Sequence, residues 1–341
     1  MPMHRRFRRR PPRAMRAMAM GAATWVALAL GWLASAHAQD AERISGAVMG
    51  LNAKVPGDAR TAPTLGTDRT GTGVVIDSTG LVLTIGYLIL EASEVTLVDA
   101  GGVKTPAEIV GYDHRTGFGL VKALNPVGKP LALGNSAQLK ERDTALIVGR
   151  DGQEHVSIAQ VIARKEFAGS WEYLLENAIF TAPAHPRHSG AALISAEGEL
   201  LGIGSLFLPQ QVPGVGIVPG NMFVPVDALK PILADLIAEG RPAKGSQAWL
   251  GLAPEEVRGH LFVERVSPGG PAEAAGIKPG DLIVGVAGER PADMAAFFKR
   301  VWALGPPGTE VPLDIVQGST PRRVVVKSAD RYAWLKLKRS Y

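Results

Sequence analysis

Residue 189 is a serine on a short polar turn, Arg187-His188-Ser189-Gly190-Ala191, set between the apolar runs Ile179-Phe180 and Ala192-Leu193-Ile194. A serine hydroxyl becomes a useful nucleophile only when a neighbouring base takes its proton, and histidine suits that task because its pKa lies near working pH. His114, His185 and His188 are the candidates for such a base. His188 is adjacent to Ser189, but adjacent side chains on a sharp turn point apart. His185 and His188 flank Pro186 on a loop with no evident carboxylate partner, so neither a metal nor a cofactor is expected there. The plainer reading makes all three histidines loop or surface residues.

The body that must hold this serine begins after a leader. Seven arginines lie between Arg5 and Arg16 with no acidic residue, and an apolar run from Ala17 to Leu33 leads to the small-x-small site Ala36-His37-Ala38. Residues 1 to 38 are therefore expected to be a secretory signal peptide, cleaved after Ala38, that delivers the chain to the periplasm. The run is short for a membrane span. The whole chain has 37 basic and 32 acidic residues, a formal charge of +5. Seven of the basic residues leave with the leader, so 30 remain against 32 and the mature charge is about −2. No Lys/Arg stripe interleaved with aromatics remains, which argues against a nucleic-acid partner. The chain has no cysteine, which excludes a disulfide framework, thiolate zinc ligation and a cysteine nucleophile. The length left is enough for two domains, each with its own core.

Short apolar runs separated by closely spaced turn residues mark the body as mainly β. The first block contains Gly71–Asp77, Leu81–Thr84, Val95–Val98, Glu108–Tyr112 and Phe118–Ala123. The second contains Thr144–Gly149, Ser157–Ala163, Asn177–Thr181, the serine turn and Asn221–Val226, and an amphipathic helix is expected from Val226 to Glu239. Two such blocks in succession suggest paired β-barrels. A polar linker, Arg241-Pro-Ala-Lys-Gly-Ser-Gln247, precedes a smaller α+β segment with a helix expected from Ala292 to Leu304.

These phrases, in this order, resemble the HtrA branch of the trypsin-like serine proteases over residues 70 to 328. In that family the serine lies in Gly-Asn-Ser-Gly-Gly, followed by a strand and a Gly-(Glu/Lys)-(Leu/Val)-Ile-Gly phrase. Here the counterparts are Arg187-His188-Ser189-Gly190-Ala191 and Gly198-Glu199-Leu200-Leu201-Gly202. The resemblance implies a double six-stranded β-barrel at 70–240 behind an N-terminal extension at 39–69. It puts Tyr87 at the catalytic histidine position, three residues after the Gly80-Leu-Val-Leu-Thr84 strand. Gly117 falls at the aspartate position of the Tyr112-Asp113-His114-Arg115-Thr116-Gly117 phrase, and Arg187 at the oxyanion glycine. A tyrosine with an ordinary pKa of about 10 donates a proton at neutral pH and does not accept one. Loss of a triad costs on the order of 10⁶ in turnover, or about 8 kcal/mol of barrier.

The run Ser267-Pro-Gly-Gly-Pro-Ala272 followed by Ala275-Gly-Ile-Lys-Pro-Gly-Asp281-Leu-Ile283 resembles a bacterial PDZ domain, here residues 248–328. In PDZ domains a loop of backbone N–H groups receives a peptide's terminal carboxylate while the peptide adds as a strand. That places Leu250, Gly251 and Leu252 at the carboxylate, with Met294, Phe297, Phe298 and Val301 as candidates for the side-chain pocket wall, some of them shared with the core. Lys336, Lys338 and Arg339, in the 329–341 tail, read as a solvated basic end. The function expected is that of an exported, HtrA-like pseudoprotease, a peptide-binding adaptor, chaperone or regulator of envelope proteins. The alternative is a serine endopeptidase using Ser189 with a non-standard base, and a structural role in a larger assembly is a third possibility. The family further implies a homo-oligomer, although residues 39 to 70 contain none of the aromatics that make the family's trimer contacts.

Overall fold

The computed structural model describes residues 40–212, 214–243 and 246–337. The expected signal peptide and the basic residues Lys338 and Arg339 lie outside the described residues. From Ser45 onward the chain forms one compact unit.

Six strands close the first barrel: β1 (Val48–Lys54), β2 (Asp68–Val75), β3 (Leu81–Ile85), β4 (Glu94–Val98), β5 (Lys104–Tyr112) and β6 (Phe118–Ala123). Their order around it is β1-β2-β3-β6-β5-β4. The barrel thus begins at Val48 and not near residue 70 as the sequence suggested. β1 sits between β2 and β4, with Val48 opposite Val74 and Leu51 opposite Leu97, and without it the sheet would have two open edges. At the β2–β3 turn Asp77 Oδ1 accepts from the amides of Thr79 and Leu81, both at 2.9 Å. Such a side-chain turn replaces backbone ladder bonds where the chain reverses.

The second barrel closes in the order β10-β11-β12-β9-β8-β7. Its strands are β7 (Thr144–Arg150), β8 (Glu154–Gly169), β9 (Tyr173–Ala182), β10 (Ala192–Ile194), β11 (Leu200–Val212) and β12 (Gly216–Pro225). Ile147, Val161, Ile179, Leu193 and Phe223 fill its core. The helix expected from Val226 to Glu239 is broken. A single 3₁₀ turn occupies Val226–Ala228, and α1 spans only Leu233–Glu239. Pro231 is the cause, since it lacks an N–H and its ring clashes with the carbonyl four residues back. Gly240 ends α1 in the left-handed conformation, and its carbonyl accepts from Tyr112 N at 3.2 Å, which ties the helix to the first barrel.

A third sheet, β13 (Leu252–Val257), β14 (His260–Val266), β15 (Leu282–Val286), β16 (Glu310–Gln317) and β17 (Thr320–Lys327), follows in sequential order. Its helix α2 (Met294–Ala303) is capped by Asp293, whose carboxylate accepts from Ala296 N at 2.7 Å. The fold is therefore a trypsin-like double barrel followed by a PDZ domain.

Candidate functional site

Ser189 lies on the turn between β9 and β10, and backbone packing between the barrels holds it in place. Its carbonyl accepts from Thr72 N at 2.9 Å, and Gly190 N donates to Gly204 O at 2.8 Å. Gly190 has φ +77°, and a Cβ there would overlap the Thr72 carbonyl oxygen, so only glycine fits.

Tyr87 sits on the 3₁₀ turn Gly86–Leu88 that follows β3. The buried Arg69 guanidinium fixes this turn by donating to the Tyr87 and Leu90 carbonyls, both at 2.8 Å. The Tyr87 hydroxyl lies 2.9 Å from Ser189 Oγ and 2.8 Å from the Ser205 carbonyl oxygen. A carbonyl can only accept, so the single phenolic proton goes to Ser205 and the Ser189 hydroxyl is left to donate to the phenol oxygen. Burial pushes the Tyr87 pKa up to about 12, and the bond to Ser189 only partly opposes this. Among the described residues, that neutral phenol is the one hydrogen-bond partner of the Ser189 hydroxyl.

Gly117 is brought beside this turn: Gly86 N donates to its carbonyl at 2.6 Å. Its φ of +82° belongs to the left-handed region. A Cβ added here would touch Ile85 and the Tyr173 ring at 3.5 Å. The carboxylate nearest in sequence, Asp113, is turned away and accepts from Thr116 N and Oγ1, each at 2.8 Å.

Arg187 N donates to His185 Nδ1 at 3.1 Å, so the amide expected at the oxyanion position is committed to a side chain. With Nδ1 accepting, His185 carries its proton on Nε2, which donates to His155 O at 3.1 Å. His185 is buried, its amide donates to Asn221 Oδ1 at 2.5 Å, and burial lowers its pKa. His114 is wedged edge-on between Tyr112 and Tyr332, hydrogen-bonded to the Tyr112 hydroxyl, and burial holds its pKa well below the ordinary histidine value. His188 packs its ring 6.1 Å from Phe207, with its pKa likewise lowered by burial. His114 and His185 are thus engaged by their own surroundings, whereas His188 Nδ1 is buried with no hydrogen-bond partner among the described residues.

In the Leu250-Gly251-Leu252 segment, expected to receive a carboxylate, Gly251 adopts φ +75°. The segment is filled by a residue that the sequence did not single out. The Glu172 carboxylate accepts from Leu250 N at 2.9 Å through one oxygen, and from Gly251 N at 2.7 Å and Leu252 N at 3.3 Å through the other. Burial raises the Glu172 pKa to about 7, while these three N–H groups and the charge of Arg331 pull it down. Of the candidates for the pocket wall, Phe297, Phe298 and Val301 are within the PDZ core, and Met294 packs against that core. The reason is their i, i+3, i+4, i+7 spacing, which turns one face of α2 inward.

The described part of the tail, up to residue 337, is docked on the body. Trp334 packs on Trp249 with ring centroids 4.5 Å apart, Leu335 is buried, and Lys336 donates to Asp58 Oδ2 at 2.8 Å. Its aromatic side chains have more apolar surface to bury than its charges lose by docking. Tyr87, Ser205, Trp171, Glu172, Leu252 and Trp334 are among the residues lining a cavity of about 430 Å³ that joins the serine site to the PDZ loop.

Residues 71–203 match the family model of the trypsin-like peptidase domain, and residues 262–317 match that of the PDZ domain. The chain is similar to the periplasmic pH-dependent serine endoprotease DegQ of Escherichia coli K12, with 29% identity over 269 residues, or 75% of this chain and 58% of DegQ. It therefore spans less than two thirds of the length of that relative. It is also similar to the putative serine protease HhoA of Synechocystis, with 28% identity over 285 residues, or 76% of this chain and 70% of HhoA. Among solved structures, an HtrA-type protease AlgW with tripeptide matches with a TM-score of 0.52 and 20% identity, covering 88% of this chain and 97% of that one. A serine endoprotease from Yersinia pestis matches with a TM-score of 0.50 and 24% identity, covering 86% and 97%. At these identities the structural likeness establishes the fold.

Proposed function

The chain belongs to the HtrA type of trypsin-like peptidases that carry a PDZ domain, and from that premise we propose that it is an exported, peptide-binding member whose Ser189 is not activated for hydrolysis. It acts on other proteins of the cell envelope as an adaptor, chaperone or regulator. One observation carries this reading: the partner of the Ser189 hydroxyl is the Tyr87 phenol, 2.9 Å away, with its pKa pushed up to about 12. A group of that pKa holds its proton throughout the neutral range, so the partner that the serine has cannot take its proton. The expectation of a periplasmic location, with cleavage after Ala38, draws support from relatives whose names place them in the periplasm.

The second reading is a serine endopeptidase in which Ser189 works with a non-standard base. The names of the relatives favour it, since DegQ and DegP are serine endoproteases, and so does His188 beside the serine. Digestion of unfolded casein by the mature chain and by Ser189→Ala separates the two. We expect equal, background loss of casein for both proteins. Turnover by the mature chain that disappears in Ser189→Ala establishes the second reading instead.

A further inference from the structure

We propose that Glu172 is a tethered ligand of this chain's own PDZ carboxylate loop, so that a peptide C-terminus enters only by displacing the segment around residues 166–173. The proposal rests on the reading of Leu250-Gly251-Leu252 as a carboxylate site, and it adds what occupies that site and what must leave it.

The geometry is that of a carboxylate recognised by a nest of amides. Both oxygens of Glu172 are used, and the donors are the three consecutive backbone N–H groups of the loop. A terminal carboxylate needs these same donors, and one N–H cannot serve two carboxylates in full. Glu172 itself has φ +57°, a backbone state that non-glycine residues seldom adopt, and it is held there at the tip of the β8–β9 hairpin. Its neighbours brace the tip. The Trp171 and Tyr173 rings stack with centroids 5.4 Å apart, and Arg331 Nη1 donates to the Trp171 carbonyl at 2.9 Å. A Cβ on Gly169 would lie 2.6 Å from the Trp171 ring, so the indole folds back over this glycine.

The rest of the hairpin lies along the PDZ domain. Ala168 packs against the PDZ core, Glu166 pairs with Lys299 of α2 at 2.7 Å, and α2 packs against β8 and β9. The hairpin therefore covers the helix beside which a bound peptide would lie, as well as filling the loop that would hold its end. Its displacement also reaches the serine site. Trp171, Glu172 and Tyr173 line the cavity that Tyr87 and Ser205 face, and the Tyr173 hydroxyl donates to Thr116 O at 2.8 Å, one residue before Gly117.

A tethered competitor weakens an external ligand by the factor with which it fills the site, and a short tether keeps its effective concentration high. The probe is a ten-residue peptide ending in leucine with a free carboxylate, titrated calorimetrically into the full mature chain and into Glu172→Ala, with the C-terminal amide as control. Removal of Glu172 is expected to tighten binding of the acid about tenfold or more and to leave the amide weak. Equal affinity of the two proteins for the acid overturns the tethered ligand while leaving the carboxylate site intact. Absence of acid binding in both, or equal binding of acid and amide, overturns the carboxylate-site reading itself, and the proposal with it. Should Glu172→Ala not fold, hydrogen exchange on the unaltered chain decides. Saturating acid peptide speeds exchange across residues 166–173 if the hairpin is displaced, and unchanged protection at saturation contradicts the proposal.

Discussion

At Ser189 the chemistry turns on which partner can accept a proton. The phenol of Tyr87 is fixed at 2.9 Å from Ser189 Oγ, and its own proton is committed to the Ser205 carbonyl. Replacing Tyr87 with histidine would supply a base but not its orienting carboxylate, because Gly117 has none, and the Arg187 amide would still face His185. Triad members act as a unit. We therefore expect neither Tyr87→His nor Gly117→Asp alone to yield proteolysis of casein, and Gly117→Asp to lower stability by about 1 kcal/mol because of its φ of +82°. The combination of both with Arg187→Gly has the better chance, and robust turnover by Tyr87→His alone would mean that the oxyanion amide reorients unaided. These positions were legible from the residues around them, since the short phrases ending at Thr84 and starting at Tyr112 fix the offsets of Tyr87 and Gly117. The orientation of the Arg187 amide was not, because it depends on a histidine two residues back choosing its tautomer against the His155 carbonyl of β8.

Among the elements, the β8–β9 hairpin is the one whose role no local pattern announced. Its strands could be read from alternating apolar residues, but the bond from Glu172 to Leu250 joins residues 78 apart and arises only when the PDZ domain docks. Likewise β1 has the burial pattern of a strand although Gly50 and Asn52 interrupt its apolar residues, while Pro231 marked a break ahead of α1 that the apolar period alone conceals. The hairpin carries a pH dependence with a definite sign. Glu172 has a pKa of about 7 when docked and an ordinary carboxylate value near 4.5 when released, so proton uptake favours docking. Docking is strongest below pH 4.5, weakens as pH rises through 7, and is constant above. Lys299 beside the hairpin has its pKa raised by the hydrogen bond to Glu166 and stays charged across that window. A peptide's terminal carboxylate, with a pKa near 3.5, is ionised throughout it. Affinity of the unaltered chain for the acid peptide should therefore rise from pH 5 to pH 7, and Glu172→Gln should remove that rise. A fall over the same range in calorimetric titrations would reverse the assigned sign.

Across the whole molecule, two barrels and a PDZ domain are fastened by segments remote in sequence. Arg60 lies 4.4 Å over the Trp334 ring, which in turn packs on Trp249, and Arg241 pairs with Asp330 at 3.0 Å. The indole contributes most, since exposed ion pairs are worth little. Trp334→Ala should cost about 2 kcal/mol in denaturant unfolding, below the usual loss for a fully buried tryptophan because its side chain is half-buried. The loss should fall to a few tenths when the rest of the tail is already deleted, and an undiminished loss there would place the tryptophan's contribution elsewhere.

The state of the Ser189 hydroxyl separates an activated from an unactivated serine, and fluorophosphonate labelling reports it directly. Such probes phosphonylate a serine whose proton is drawn off by a base and leave an ordinary hydroxyl unmodified on the same time scale. Intact-mass measurement of the mature chain after treatment at pH 7.5 should show no adduct at Ser189, and the Ser189→Ala protein should be indistinguishable from it. A stoichiometric adduct that vanishes in Ser189→Ala would show an activated nucleophile and contradict the account.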